Sequence, residues 1–426
     1  MENKVRIFSP IKIDDSYDVV VAGGGLAGVM AAISAAREGC KAIIIEKHGC
    51  FGGMATSGLV FPFMRDTEYG SEAPVNAGLY STLKEEIYSL GGSDAPNSRK
   101  YKEEFMKIAL DRMIKKYGIK VLFHSKLCDV SVKDGKVKEI KIATVSGIVG
   151  IRGKVFIDAT GNADLCAFAG FPYQLGREED SLCQPMTLCF RFDNVDWSKY
   201  NTVEVNKLYR KFKKDGKIQN PREDVLRFKY PVSSIMHMNT TRVVGLDPTN
   251  VEDVTEAEMT LREQMLEMYN FMRENVAGME SCELISSAAE AGIRESRRIV
   301  GLAQITADDI LGVTKYPDSI ARGAYEIDIH SPSGSGTFHA RIPDNDYYTI
   351  PYRALIPEAA KNVIAAGRSI STTHEALASV RIMPITSCMG EAAGIAAALA
   401  VKAEKDCRDI DVELLRSKIV SYGGLV

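Results

Sequence analysis

The sequence predicts an α/β fold: a Rossmann-like domain, discontinuous in the chain, that carries a β-rich α+β region as an insertion. Three observations carry this. The β-branched run Asp18-Val19-Val20-Val21-Ala22 meets Gly23-Gly24-Gly25-Leu26-Ala27-Gly28 and then an Ala-rich helical stretch. A second apolar run, Lys41 to Ile45, ends in the acidic residue Glu46. Far along the chain the pattern returns as Asn362-Val363-Ile364-Ala365-Ala366-Gly367-Arg368, a buried strand ending in glycine.

Composition narrows the class. The 426 residues are enough for two cores, and 45% hydrophobic with 26% charged residues is ordinary for a globular protein. A net charge of -3 argues against a nucleic-acid footprint. Nine cysteines, an odd number without a C-x-x-C pair, read as reduced thiols in a cytoplasmic protein. The stretch MENKVRIFSPIKIDD has no apolar core of the kind a secretory signal needs. The stretch Val19 to Ala36 matches only the shortest membrane span and is better explained by the glycine motif, so no membrane span is expected.

The motif is G-x-G-x-x-G between strand and helix. Gly23 allows the tight turn, Gly25 lets the backbone approach a diphosphate, and Gly28 lets helix and sheet close up, with Leu26 and Ala27 opening the helix. The helix N-terminus then faces the anion with unpaired N–H groups. Glu46 lies where ribose hydroxyls would be bound. Lys47-His48-Gly49-Cys50-Phe51-Gly52-Gly53-Met54-Ala55-Thr56 adds a second glycine pair, suited to a chain running along a long cofactor, FAD rather than NAD. No cysteine follows Gly53 before Cys128, which removes disulfide reduction.

From Lys100 to Tyr117 the apolar spacing is helical, with Phe105, Ile108, Ala109, Met113 and Ile114 on one face. Runs at Lys120 to His124, Lys126 to Val132, Lys136 to Thr144 and Gly147 to Val149 read as a β-meander, Leu127 in the second serving the cofactor. The strand Lys154 to Asp158 runs into Ala159-Thr160-Gly161, a further close approach to the cofactor, with Asp164 just beyond. Residues 171–350 are read as the substrate domain, including a helix from Asp253 to Asn275 whose methionines are core filler. Residues 1–170 and 351–426 make the cofactor domain. In its last part Gly367, Arg368, Arg381, Ile382 and Met383 precede a helix from Ile385 to Lys402, with Pro384 at its start.

With these blocks in hand, the chain resembles the bacterial FAD-dependent oxidoreductase family of glutathione-reductase-like flavoproteins, often labelled xanthan-lyase-like. The resemblance rests on EKHGCFGGMATSGLV, FIDATGNADL, GREEDSLCQPMTLCFRF, GIRESRRIVG, ARGAYEIDIH and AAGRSISTTHEALASVRIMPITSC, and it covers nearly the whole chain. It implies FAD and redox chemistry and leaves the substrate open.

Flavin chemistry on a C–H bond calls for a proton acceptor near the reacting atom. His374, in the segment after Gly367-Arg368, is the first candidate, followed by His330 and His237. Arg294 and Arg298 share a face in either a helix or a strand, where both would grip a substrate anion with Glu295 turned away from them; the alternative is a structural ion-pair network in which Glu295 neutralises them. His48 and Cys50 are the places where covalent attachment would occur, and non-covalent FAD is preferred. No metal motif, Walker loop or G-x-S-x-G elbow is present. The expectation is hydride transfer between flavin and a small polar molecule. The alternatives are a flavin monooxygenase and an FAD-binding protein without redox turnover.

Overall fold

The computed structural model describes residues 12–426; of the stretch expected to lack a secretory signal, residues 1–11 lie outside these. A seven-stranded sheet organises the chain. Five of its strands are parallel, in the order Lys120–Leu122, Ala42–Ile45, Lys12–Ala22, Gly147–Asp158 and Val363–Ala365. Val19, Val20 and Val21 are fully buried in its centre, which is why this run is uninterrupted β-branched sequence.

The strand Gly147–Asp158 serves two layers. It pairs parallel with Lys12–Ala22 over nearly its whole length, while its other edge takes Val363–Ala365 along its second half and, antiparallel, Lys136–Thr144 along its first, which in turn pairs with Lys126–Lys133. The runs at 147–149 and 154–158, expected as separate strands, are thus one. The run at Lys120 is a parallel strand beside Ala42–Ile45 rather than the first strand of the meander.

Helix Leu26–Arg37 lies against helix Met383–Ala403, and glycines set the distance. A Cβ on Gly390 would meet Ala27 O at 2.1 Å, and one on Gly394 would meet Ala31 O at 2.1 Å. The second helix is long and apolar enough to cross a membrane, but 94% of its most apolar window is buried inside the protein, which makes it a core helix. The amphipathic helix Glu103–Lys116, packed against Leu26–Arg37, buries Ala109, Met113 and Ile114 as the spacing suggests, with Met106 and Leu110, whereas Ile108 is 45% exposed.

The inserted region has its own core. Strands Glu283–Ser287, Phe190–Asp193, Met236–Met238 and Arg227–Lys229 form an antiparallel sheet, covered by helices Thr202–Lys214 and Val251–Asn275. Met268 and Met272 fill that core, whereas Met259 is half exposed. The packing does not change over at residue 350: Ile305, Ile320, Tyr348 and Ile350 belong to the same core as the helix Met383–Ala403.

Candidate functional site

A cavity of about 610 Å³ opens where the two regions meet. One wall is the glycine motif. Gly23 has φ +102°, and a Cβ there would lie 2.3 Å from Ala159 O, so the turns after two neighbouring strands abut. A Cβ on Gly28 would lie 1.9 Å from Gly23 O. Gly25 differs: no atom of the protein lies within 4 Å of where its Cβ would stand, and it faces the cavity with Leu26 and Ala27. Gly25 also caps helix Leu26–Arg37 without any side-chain hydrogen bond, leaving N–H groups free for an anion.

The wall continues through Gly52, Met54 and Ala55, then Ala159 and Gly161, and finally Gly367, Arg368, Arg381, Ile382 and Met383. The uncapped N-terminus of helix Met383–Ala403 therefore also ends at the cavity. Other expected cofactor residues act behind this surface. Glu46 Oε2 accepts from Gly24 N at 2.6 Å and Oε1 from His48 N at 2.8 Å, so it fixes the glycine loop. Gly53 packs against Gly25, and Thr56 Oγ1 donates to Phe51 O at 2.6 Å. Thr160 Oγ1 donates to Asp158 Oδ1 at 2.7 Å, Asp164 pairs with Arg297 at 3.0 Å, and Leu127 is a core residue of the meander. Lys47 and His48 both turn to Glu290, His48 Nε2 at 3.0 Å from its carboxylate, rather than to the cavity.

The three histidines separate. His374 starts the helix His374–Val380 and lies 2.7 Å from Glu295 Oε2, away from this cavity. His237 is fully buried between Phe61 and Phe228, and desolvation with the nearby Arg191 charge drives its pKa down to about 3. His330 does line the cavity. Its Nδ1 lies 3.0 Å from Arg242 Nη2, and burial together with the Arg294, Arg381, Arg222 and Arg242 charges keeps it neutral. A guanidinium can only donate, so the Nδ1 lone pair is taken and the proton sits on Nε2. His330 therefore has no free basic nitrogen.

Arg294 and Arg298 do not share a face. The chain bends at Arg294 before the strand Arg297–Ile299, so neither a helix nor a single strand holds the pair. Arg298 is buried in an ion pair with Glu295 and donates to Gly176 O at 2.7 Å, which corrects the expectation that Glu295 turns away from it. Arg294 reaches the cavity, donating to Pro185 O at 2.9 Å and to Thr187 Oγ1. Burial first, then repulsion from Arg381, Arg222 and Arg242, lowers its pKa to about 9, a sign of a poorly compensated charge.

Sequence reasoning did not single out Asp328, Tyr325 or Arg222, all of which line the cavity. Asp328 Oδ2 accepts from Tyr325 OH at 3.2 Å; Oδ1 is buried without a hydrogen bond, 3.5 Å from His330 Nε2. Its signal was hidden because an acid inside Ile327–His330 reads as ordinary strand alternation.

A parallel sheet with a glycine-cradled helix N-terminus at a cavity defines a dinucleotide-binding protein, and the open space at Gly25 fits the diphosphate of FAD. The chain belongs to the FAD dependent oxidoreductase family, whose model matches residues 18–419, and it is an enzyme of that kind using FAD. It is 37% identical over 93 residues to a vinyl phenol reductase of Lactiplantibacillus plantarum, covering 21% of this chain and 18% of that protein. It is 32% identical over 154 residues to a mitochondrial dihydrolipoyl dehydrogenase of Schizosaccharomyces pombe, covering 34% and 28%. These matches thus span well under a third of the relatives' lengths. A solved geranylgeranyl bacteriochlorophyll reductase-like protein of Thermoplasma acidophilum is similar in structure, with TM-score 0.48 and 14% identity over 97% of this chain and 85% of that one.

Proposed function

We propose that this enzyme transfers a hydride between a small polar organic molecule and N5 of non-covalently bound FAD, with Arg294 facing the substrate and Asp328 handling the accompanying proton. Within the family, the antiparallel meander that grows out of the parallel sheet supports a glutathione-reductase-like arrangement. Bound FAD supplies a two-electron hydride acceptor or donor. Gly25, Leu26 and Ala27 would hold its diphosphate. The amide end of helix Met383–Ala403 would offset negative charge on the reduced ring.

The single observation that carries the proton role is Asp328 Oδ1, buried in the cavity wall without a hydrogen bond. In the oxidative direction the substrate O–H proton goes to Asp328 Oδ1. FAD, when bound, would take up the C–H hydrogen with its electron pair, so that loss of the O–H proton to Asp328 leaves a C=O bond. His330 Nε2 lies 3.5 Å from Asp328 Oδ1 and makes no hydrogen bond to it, so that oxygen stays free to take the proton. The reverse sequence reduces a carbonyl.

An anaerobic screen of hydroxy acids, sugars, amines and enoates for flavin bleaching tests this reading. Bleaching by a donor without oxygen or nicotinamide, with a two-electron-oxidised product, is expected. Turnover that requires NAD(P)H and oxygen and inserts an oxygen atom would establish a monooxygenase instead. Acid precipitation should release all the FAD to the supernatant; flavin retained on the pellet would overturn non-covalent binding and point to His48 or Cys50.

A further inference from the structure

Four guanidiniums enter the cavity, those of Arg222, Arg294, Arg368 and Arg381, and Arg242 stands behind His330. Two of the five are matched by carboxylates: Arg222 with Asp224 at 3.4 Å and Arg242 with Glu223 at 3.3 Å. Arg368 is held by Asn162 Oδ1 and Ile293 O, beside Gly161 and Gly367.

Among the described residues, Arg294, Arg368 and Arg381 have no carboxylate match, and Arg368 Nε is buried without a partner. Arg294 donates only to neutral oxygens, those of Pro185, Thr187 and Asn239. The Arg381 side chain makes no hydrogen bond or ion pair among the described residues, and its Nε is buried without a partner. Arg222 Nη1, in a side chain 6% exposed, is likewise buried without a partner. Arg294 and Arg381 line the same cavity, and the Arg381 charge is the foremost repulsion on Arg294.

Beyond the two pairs just named, only the carboxylate of Asp328 opposes these guanidiniums in a wall that also holds Cys189, Leu226 and Phe228, so an excess of positive charge is left that favours an anion between them. The diphosphate of FAD is already served by the glycine loop and its helix, and oxidised flavin carries no charge on its ring to fill this role. We infer that the substrate is a small carboxylic acid, its carboxylate bound between Arg294 and Arg381 with Arg222 beside them. A planar carboxylate accepts two parallel bonds from one guanidinium and a further one from another. A cationic amine is repelled there, and a neutral sugar leaves the guanidiniums uncompensated. The inference rests on the reading that the substrate occupies this cavity.

The test titrates purified holoenzyme, without oxygen, with oxalate, malonate and succinate and with the matching neutral diamides. Flavin absorption difference spectra and thermal protection are the readouts. At least one diacid should give a saturable response and its diamide none, and at saturating FAD Arg294→Gln and Arg381→Gln should each raise that Kd at least tenfold. If Arg294→Gln does not fold, Arg294→Lys should fold and still bind at least tenfold more weakly, because it lacks the paired donors. No saturable response to any diacid at millimolar concentration, equal binding of diamides, or unchanged Kd in the variants would overturn the inference. Diacid binding by an enzyme that no donor bleaches would sink the hydride-transfer reading and leave this one standing. Bleaching by neutral alcohols with no diacid response would do the opposite.

Discussion

The Arg242 guanidinium stands 3.0 Å from His330 Nδ1, and that contact settles which nitrogen of the imidazole carries the proton. With the Nδ1 lone pair taken, His330 offers no free basic nitrogen, and Asp328 Oδ1, 3.5 Å from Nε2 and without a hydrogen bond, is left as the proposed proton acceptor. Asp328→Asn should therefore lower kcat at least a hundredfold, about 2.7 kcal/mol, with FAD content unchanged. His330→Gln should retain more activity than His330→Ala. Equal loss in both His330 variants with little loss in Asp328→Asn would reverse the assignment.

Two glycines of one motif should fail in different ways. Gly25→Ala places its methyl in open protein space, so the apoprotein should keep its melting temperature while FAD affinity drops at least tenfold, about 1.4 kcal/mol. Gly28→Ala drives a methyl onto Gly23 O and should reduce the yield of folded protein. Flavin fluorescence titration of refolded apoprotein, beside thermal melts, separates the two; a Gly25→Ala enzyme with normal FAD affinity would contradict the cradle.

The arginines 294 and 298 divide function from stability. Arg294→Lys should keep the melting temperature and lower kcat/KM at least tenfold. Removing Glu295, which is fully buried and holds Arg298 and the Gln184 N–H, leaves a buried cation unpaired. Glu295→Ala should destabilise by about 3 to 5 kcal/mol. Denaturant midpoints for both variants measure this, and a stable Glu295→Ala protein would count against the buried pair.

His237 links stability to pH. Its folded-state pKa is about 3, depressed by burial and by Arg191 despite the opposing charge of Glu103, against 6.5 for the free side chain. The unfolded chain takes up a proton between these values, so the contribution is complete above pH 6.5 and is lost as pH falls toward 3. At pH 5 the loss from this residue is about 2 kcal/mol. His237→Phe should narrow the difference in urea midpoint between pH 7.5 and pH 5, and an unchanged difference would refute the buried neutral imidazole.

The cofactor half of the site was legible because glycine spacing, a β-branched strand and an Ala-rich helix are local signals that survive in any context. Gly25, Met54 and Gly367, read from such signals, line the cavity. The substrate half was not, because it depends on which side chains the fold brings together. Arg294 was found from its charge, yet its supposed partner Arg298 was lost to one bend in the backbone. His374 seemed close to the cavity from its place after Gly367, but the helix it starts turns its ring toward Glu295. Asp328 and Arg222 lie more than a hundred residues apart and meet only in the cavity.

The cavity wall also joins Gly25 to Met383, so the first strand of the sheet and the last long helix must both be present before the cofactor has a complete seat. On the ribosome, a nascent chain stopped short of residue 383 lacks half of that seat. FAD binding would in this sense report that the C-terminal segment has docked.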